Sequence, residues 1–230
     1  MLNGKRVSVI IPAIDEEESI SKVIDEIPKD IADDIIVVDN GSSDKTADRA
    51  RESGAIVLKE DERGYGAACL KGISHLNGTD IVVILDADLS DYPDQMIRLA
   101  GPIAENKQDF VLGSRVLGVH EKGAIAKQAW WGNKLAISLI FLFFRFKFSD
   151  MGPFRAISSS SLKELNMSDK NFGWNVQMQI MAIKKGLRIK EVPVDYRKRI
   201  GRSKISGTLS GTILAGSKII YTILKYALMR

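Results

Sequence analysis

The segment Ile81-Val82-Val83-Ile84-Leu85-Asp86-Ala87-Asp88 sets five consecutive apolar residues before two carboxylates one residue apart. An apolar run without polar alternation is what a strand covered on both faces requires, and such strands belong to parallel sheets. Further strands are read at Val7 to Ile11, Ile35 to Val38, Ile56 to Leu58, Phe110 to Leu112 and, later, Ile189 to Val194, the early ones read as apolar throughout. Between them the spacing predicts helices at Glu16 to Ile27, Lys45 to Ser53, Ala67 to His75 and Pro93 to Ala104. Ser43 and Asp44 stand where an N-cap is needed, and Gly54 where a helix stops. Strands and helices alternating at this beat predict an α/β protein with a mostly parallel sheet flanked by helices.

The 230 residues are 45% apolar and 27% charged, which excludes disordered, collagen-like and disulfide-stapled chains. The single cysteine, Cys69, has no internal partner, in keeping with a reducing compartment. The net charge of +4 is unevenly spread. From Met181 to Arg230, 12 Lys/Arg face only Glu191 and Asp195, a balance of +10 that leaves residues 1–180 at −6. A basic end suits phosphate, whether on a nucleotide, a nucleic acid or a membrane surface.

Nothing after Met1 resembles a signal peptide. The longest apolar run, Leu135 to Phe144 with only Ser138 polar, is too short to cross a bilayer before Arg145 and Lys147 close it. The aromatic stretch Trp130, Trp131, Phe141, Phe143, Phe144, Phe146, Phe148 reads either as core packing or as a lipid-facing helix region. From Thr208 onward the chain reads as one or two helices in which Lys218, Thr222 and Lys225 mark a polar stripe, either packed on the body or lying at an interface. The expected division is a domain over 1–207, including the aromatic region 127–148, and a basic amphipathic helix over 208–230.

Three acidic positions fall at the carboxyl ends of predicted strands: Asp15 with Glu16, Asp39, and Asp86 with Asp88. Ligands of open parallel sheets bind in the crevice at that edge, so these residues are expected to converge. Gathered carboxylates repel one another unless a cation stands among them, and oxygen ligands suit Mg²⁺ or Mn²⁺. Arg63-Gly64-Tyr65-Gly66 opens a helix and reads either as a phosphate-approaching loop or as a plain turn. Arg115, Arg155, Arg199, Arg202 and Lys204 form a cationic set. His75 and His120 show no metal-ligand spacing and, like Cys69, read as structural.

The ordered set Val7-Ser8-Val9-Ile10-Ile11-Pro12-Ala13, Val37-Val38-Asp39-Asn40-Gly41-Ser42-Ser43-Asp44-Lys45-Thr46, Asp86-Ala87-Asp88, Gly113-Ser114-Arg115, Asp150-Met151-Gly152-Pro153-Phe154-Arg155 and Arg199-Ile200-Gly201-Arg202-Ser203-Lys204 resembles the inverting family 2 glycosyltransferases. These have the Rossmann-like GT-A fold, and the chain is most similar to the dolichyl-phosphate mannose or glucose synthases. The resemblance implies that Pro12, Ala13, Asp15, Glu16, Asp39 and Gly41 hold the base and ribose of a nucleotide-diphosphate sugar. It further assigns Arg63, Gly64, Asp86, Ala87, Asp88, Arg199 and Lys204 to the rest of the donor. Asp86, Asp88 and Ser90 are the implied metal ligands, Arg115 and Arg155 the cations for an acceptor phosphate, and Asp88, Arg115, Arg155 and Arg202 the catalytic set. The sequence departs from the family pattern at Asp15, where Asn is common, at Ser90, where Gln is common, and at Gln177, where an acidic residue is common.

The leading expectation is therefore an enzyme that moves a hexose, mannose first, from a GDP- or UDP-linked donor to polyprenyl or dolichyl phosphate, in the cytoplasm and peripheral to the inner face of the cell membrane. Glucose or N-acetylglucosamine as the sugar, a soluble acceptor, and a nucleotide-sugar or nucleic-acid binding module remain alternatives. Nucleic acid is not expected as a partner, because no recognition motif is present and the basic residues of the tail are interleaved with apolar ones.

Overall fold

The structure, a computed structural model, describes residues 1–201 and 209–229. Its seven strands are β1 (Val7–Ala13), β2 (Asp34–Asp39), β3 (Ile56–Lys59), β4 (Ile81–Ile84), β5 (Phe110–Ser114), β6 (Arg155–Ser158) and β7 (Ile189–Pro193). They form one sheet in the order β3-β2-β1-β4-β6-β5-β7. All neighbours are parallel except β6, which runs antiparallel to both β4 and β5. The helices are α1 (Ile20–Glu26), α2 (Thr46–Glu52), α3 (Tyr65–His75), α4 (Met96–Ala104), α5 (Lys127–Phe144), α6 (Ser159–Leu165), α7 (Trp174–Lys184) and α8 (Leu209–Leu228). This is the expected mostly parallel α/β architecture.

The pleat sends successive side chains to opposite faces. Val7, Val9 and Ile11 of β1 and Ile81 and Val83 of β4 pack with Val23 and Ile24 of α1 and Met96, Leu99 and Ile103 of α4. Ile10, Val82 and Ile84 face the other way, onto Cys69 of α3, Ala136 and Ile140 of α5, and Trp174 and Met178 of α7. Two findings modify the expectation of uniformly apolar, doubly covered strands. Ser8 is buried in β1, its hydroxyl donating to Asp34 Oδ2 at 3.0 Å beside Thr79 Oγ1 at 2.8 Å. β3 is the sheet edge, with Ile56 41% exposed.

Strand order reverses between β1 and β4, so the crevice of the sheet opens at their carboxyl ends. Sequence reading missed β6, α6 and α7. β6 is short and opens on an arginine; α7 is buried nearly all round, so it shows no amphipathic period.

α5 and α8 pack together over the face beside α7. The polar stripe of α8 divides: Lys218 Nζ pairs with Asp169 Oδ2 at 3.0 Å and Thr222 is buried, whereas Lys225 is exposed; beside them Tyr226 Oη accepts a hydrogen bond from Gln177 Nε2 at 2.7 Å. Ile213, Leu214, Tyr221, Leu224 and Leu228 are left exposed, as are Trp131, Leu135, Phe141, Leu142 and Phe143 of α5. The aromatic region is thus divided: Phe148 lies in the core with Ala136 and Ile140, Phe144 and Phe146 pack partly against it, and Trp131, Phe141 and Phe143 are exposed. Among the described residues no helix is long and apolar enough to cross a membrane.

Candidate active site

The turn after β1 is stitched to the loop after β2. Asp15, at φ +49°, donates its N–H to Ser42 Oγ at 2.9 Å and accepts from Ser43 N–H at 2.7 Å and Ser43 Oγ at 3.1 Å. Glu16 N–H donates to Thr46 Oγ1 at 2.7 Å, and Asp39 Oδ1 accepts from Ser42 N–H at 3.0 Å. Ala13 C=O accepts from Asn40 N–H at 2.9 Å, while Pro12 pairs in register with Val38. A 170 Å³ hollow lined by Asp15, Glu16, Glu17, Asp44, Ile200 and Gly201 opens at this turn. Its carboxylates are acceptors for base N–H and hydroxyl donors.

Asp86 and Asp88 follow β4. Burial, then the Asp88 charge, pushes the Asp86 carboxyl up to about 7. Asp88 is 7% exposed; its Oδ1 accepts from Ser90 N–H at 2.9 Å and from the Ser90 hydroxyl, and its Oδ2 lies 3.1 Å from Arg199 Nη1. Arg199 Nη2 reaches Glu16 Oε1 at 2.8 Å, so one guanidinium joins the β1 and β4 carboxylates. Arg199 is carried there by a strap, with Arg197 N–H on Ser90 C=O and Ile200 N–H on Asp88 C=O, both at 2.9 Å. Ala87 is packed into the core, contributing backbone only. Arg202 and Lys204 lie outside the described residues.

A third carboxylate, Asp91, escaped the sequence reading. It is 1% exposed, its Oδ1 has no hydrogen-bond partner among the described residues, and burial together with the Asp86 and Asp88 charges pushes it well above the usual carboxylate range. Among the described residues no three acidic, His or Cys side chains form a ready-made metal cage. The donor set nevertheless fits a hard divalent cation: Asp86 and Asp88 offer oxygens, repel each other, and already draw a cationic guanidinium between them and Glu16. Ser90, implied as the third ligand, spends its hydroxyl on orienting Asp88.

Arg115, just beyond β5, is clamped by Asp150: Nε to Oδ2 and Nη2 to Oδ1 at 2.8 Å each, with its own N–H on Oδ2 at 2.9 Å. Its guanidinium lies 5.0 Å from the centre of the Tyr196 ring. Burial raises the Tyr196 hydroxyl to about 12. Arg115 stands where two cavities meet. One is a cleft of 340 Å³ that also holds Asp88, Tyr196, Lys198 and Arg199. The other is a mainly apolar groove of 230 Å³ between α5 and α8, lined by Ala129, Gly132, Ala136, Met151, Phe172 and Gly216 among others.

Two expected residues sit differently. Arg155, expected beside Arg115 as an acceptor cation, is wholly enclosed and donates to the carbonyls of Gly152, Pro153 (3.1 Å) and Asn175 (3.3 Å). It braces the chain because a buried guanidinium needs every acceptor it can reach. The glycines of the 63–66 loop serve close packing: a Cβ on Gly64 would lie 2.0 Å from Lys170 O, and one on Gly66 2.0 Å from Asp169 O. The first turn of α3 spends Ala67 N–H on Lys170 O at 2.9 Å. Arg63 lies over Gly41, whose φ of +83° strains any other residue and whose Cβ position is 3.1 Å from that guanidinium. Asn40, also missed, fixes this loop through Glu60 O (3.0 Å), Glu62 O (2.7 Å) and Gly64 N–H (2.7 Å). Gln177 is buried, pinning Ser168, Asp169 and Tyr226.

Comparison with known proteins places this geometry. The chain is 31% identical over 221 residues to an uncharacterized glycosyltransferase of Mycobacterium tuberculosis, covering 92% of this chain and 95% of that one. It is 30% identical over 244 residues to a UDP-N-acetylglucosamine–dolichyl-phosphate N-acetylglucosaminyltransferase of Methanococcus voltae, covering 96% and 95%. Similarity to the dolichol-phosphate mannosyltransferase of Pyrococcus furiosus is 27% over 237 residues, covering 96% of this chain and 64% of that one. Among solved structures, glucosyl-3-phosphoglycerate synthase of Mycobacterium tuberculosis, in complex with Mn²⁺, UDP and glucosyl-3-phosphoglycerate, superposes with a TM-score of 0.81 at 25% identity, over 97% of this chain and 80% of that one. Residues 8–165 match the family model Glycosyl transferase family 2, and with the β1, β2 and β4 carboxylates at one edge inside that span, the chain belongs to this family and is a glycosyltransferase.

Proposed function

We propose that the protein transfers a sugar, with mannose the first to test, from a nucleotide-diphosphate donor to a polyprenyl or dolichyl phosphate at a membrane surface. The observation that carries this is the position of Arg115, which lines both an apolar groove and the cleft holding Asp88. A small soluble acceptor such as phosphoglycerate has no use for the groove. A lipid phosphate uses both, its charge at Arg115 and its first isoprene units between α5 and α8. The exposed apolar residues of α8 and the exposed aromatic residues of α5 supply the docking face.

The base and ribose rest against Asp15, Glu16 and Asp39. Asp86 and Asp88 hold a divalent cation, Mg²⁺ or Mn²⁺, which when bound neutralises the diphosphate. Arg199 turns from Glu16 and Asp88 toward the diphosphate. Arg115 aims the acceptor phosphate. One of its oxygens bonds to the anomeric carbon while the bond from that carbon to the diphosphate oxygen breaks, inverting the configuration and releasing the nucleoside diphosphate. The acceptor is already ionised at neutral pH, so positioning and charge stabilisation carry the rate.

The test is to incubate the protein and Mn²⁺ with labelled GDP- and UDP-sugars, offering polyprenyl phosphate in one arm and 3-phosphoglycerate in the other. Label moving into the organic phase is the expected result. Label appearing only in an aqueous phosphoglycerate adduct overturns the lipid acceptor.

A further inference from the structure

We infer that Glu191 is a positioning residue for Arg115, setting the acceptor-facing guanidinium from the far side of the sheet edge through the 149–150 loop. The role of Arg115 toward the acceptor rests on the function proposed above; the link from Glu191 to Arg115 rests on geometry alone.

Glu191 lies in β7, opposite Leu112 of β5, three residues before Arg115. Its carboxylate accepts Ser149 N–H at 2.8 Å (Oε2) and 3.0 Å (Oε1), Ser149 Oγ–H at 2.9 Å and Asp150 N–H at 3.1 Å. Residues 145–150 belong to no helix or strand, so these two consecutive N–H groups have no ladder partner, and the carboxylate takes the place of one. Asp150, fixed in this way, is the residue that grips Arg115 at both Nε and Nη2. A second link runs through Ser114 Oγ, 2.7 Å from Ser149 Oγ and adjacent in sequence to Arg115. Three converging donors, making four contacts, require an acceptor-only group. An amide would present an NH₂ to N–H donors, turning attraction into repulsion on one side of the loop. A forked Arg–carboxylate pair is geometrically demanding, so a displacement of Asp150 re-aims Arg115 instead of merely weakening it.

The variant is Glu191→Gln, with Glu191→Asp beside it in case the amide fails to fold. Two readouts are needed. The first is hydrogen exchange of the Arg115 Nε–H by NMR, assigned through Arg115→Lys, in the ligand-free protein. Slow exchange in the wild type and exchange faster by roughly tenfold or more in the variants is expected, corresponding to a loss of about 1.4 kcal/mol in closing the pair. Unchanged exchange overturns the inference. The second is steady-state kinetics. KM for polyprenyl phosphate should rise about tenfold while KM for the donor stays within about twofold, and Glu191→Gln should add almost nothing in an Arg115→Ala background. Equal effects in both backgrounds mean that Glu191 only supports the fold and overturn the inference. Faster exchange with an unmoved acceptor KM upholds the Glu191–Arg115 link and overturns instead the acceptor role given to Arg115.

Discussion

At the residue scale, the site is a set of charges that cannot rest without partners. Asp88 holds Ser90 and Arg199 through different oxygens, so Asp88→Asn keeps its volume and one acceptor while removing the charge. Sugar transfer should fall roughly a thousandfold or more, since about 4 kcal/mol of charge stabilisation converts at ~1.4 kcal/mol per decade. Thermal unfolding should show the fold intact, and Mn²⁺ titration should show the cation lost. Asp150 gives a pH signature. Burial raises its carboxyl, but the Arg115 charge and the hydrogen bonds from Arg115 and Met151 outweigh burial and hold it below the ordinary aspartate range. A group with a depressed folded pKa stabilises the fold above its unfolded pKa of about 3.9, and that contribution is lost as pH falls through the folded value. Urea unfolding followed down to pH 3 should therefore lose stability more steeply in the wild type than in Asp150→Asn. At neutral pH that substitution should cost about 3–5 kcal/mol by leaving Arg115 without its counter-charge. The carboxylates at strand ends were legible because an apolar run ending in Asp announces itself. Asp91 and Glu191 were not, because each looks like an ordinary surface acid until the fold covers it.

At the scale of elements, two glycines separate packing from binding. A Cβ on Gly66 would meet Asp169 O at 2.0 Å, so Gly66→Ala should destabilise by at least about 1–3 kcal/mol, at roughly 2–4 °C of melting temperature per kcal/mol. Gly216 faces the groove with nothing within 4 Å of its Cβ position. Gly216→Leu should fold at least as well, gaining up to about 1 kcal/mol of helix propensity. It should raise KM for a long polyprenyl phosphate and leave donor binding alone. An unchanged acceptor KM would empty the groove of its proposed occupant. Helix α8 also shows how far periodicity carries. Lys218 and Thr222 read as the wet stripe of an amphipathic helix, yet they face the body because Asp169 waits there to pair with Lys218. Spacing finds the two faces of a helix; which face turns inward depends on what the neighbour offers.

For the whole molecule, the exposed apolar residues lie on α5 and α8, two helices packed together, with Lys134 and Lys225 on the same helices. The protein should sediment with anionic vesicles more strongly at low salt than at high salt. Leu214→Asp or Leu228→Asp should each weaken partitioning roughly tenfold or more, since burying a leucine contributes about 1.5–3 kcal/mol. The sequence by itself determined the class of sheet, because unbroken apolar runs have no stable place except between two layers. It also determined the acidic edge, because carboxylates following such runs are carried to the same end of a parallel sheet. Only the tertiary structure decided which charges are free to act. Arg155 and Arg115 are alike in sequence, but one is spent on backbone carbonyls inside the fold and the other is held at a cleft. The glycines of 64–66 met a neighbouring backbone where a phosphate was the alternative. Burial and pairing are properties of contacts between distant segments, and no local pattern encodes them.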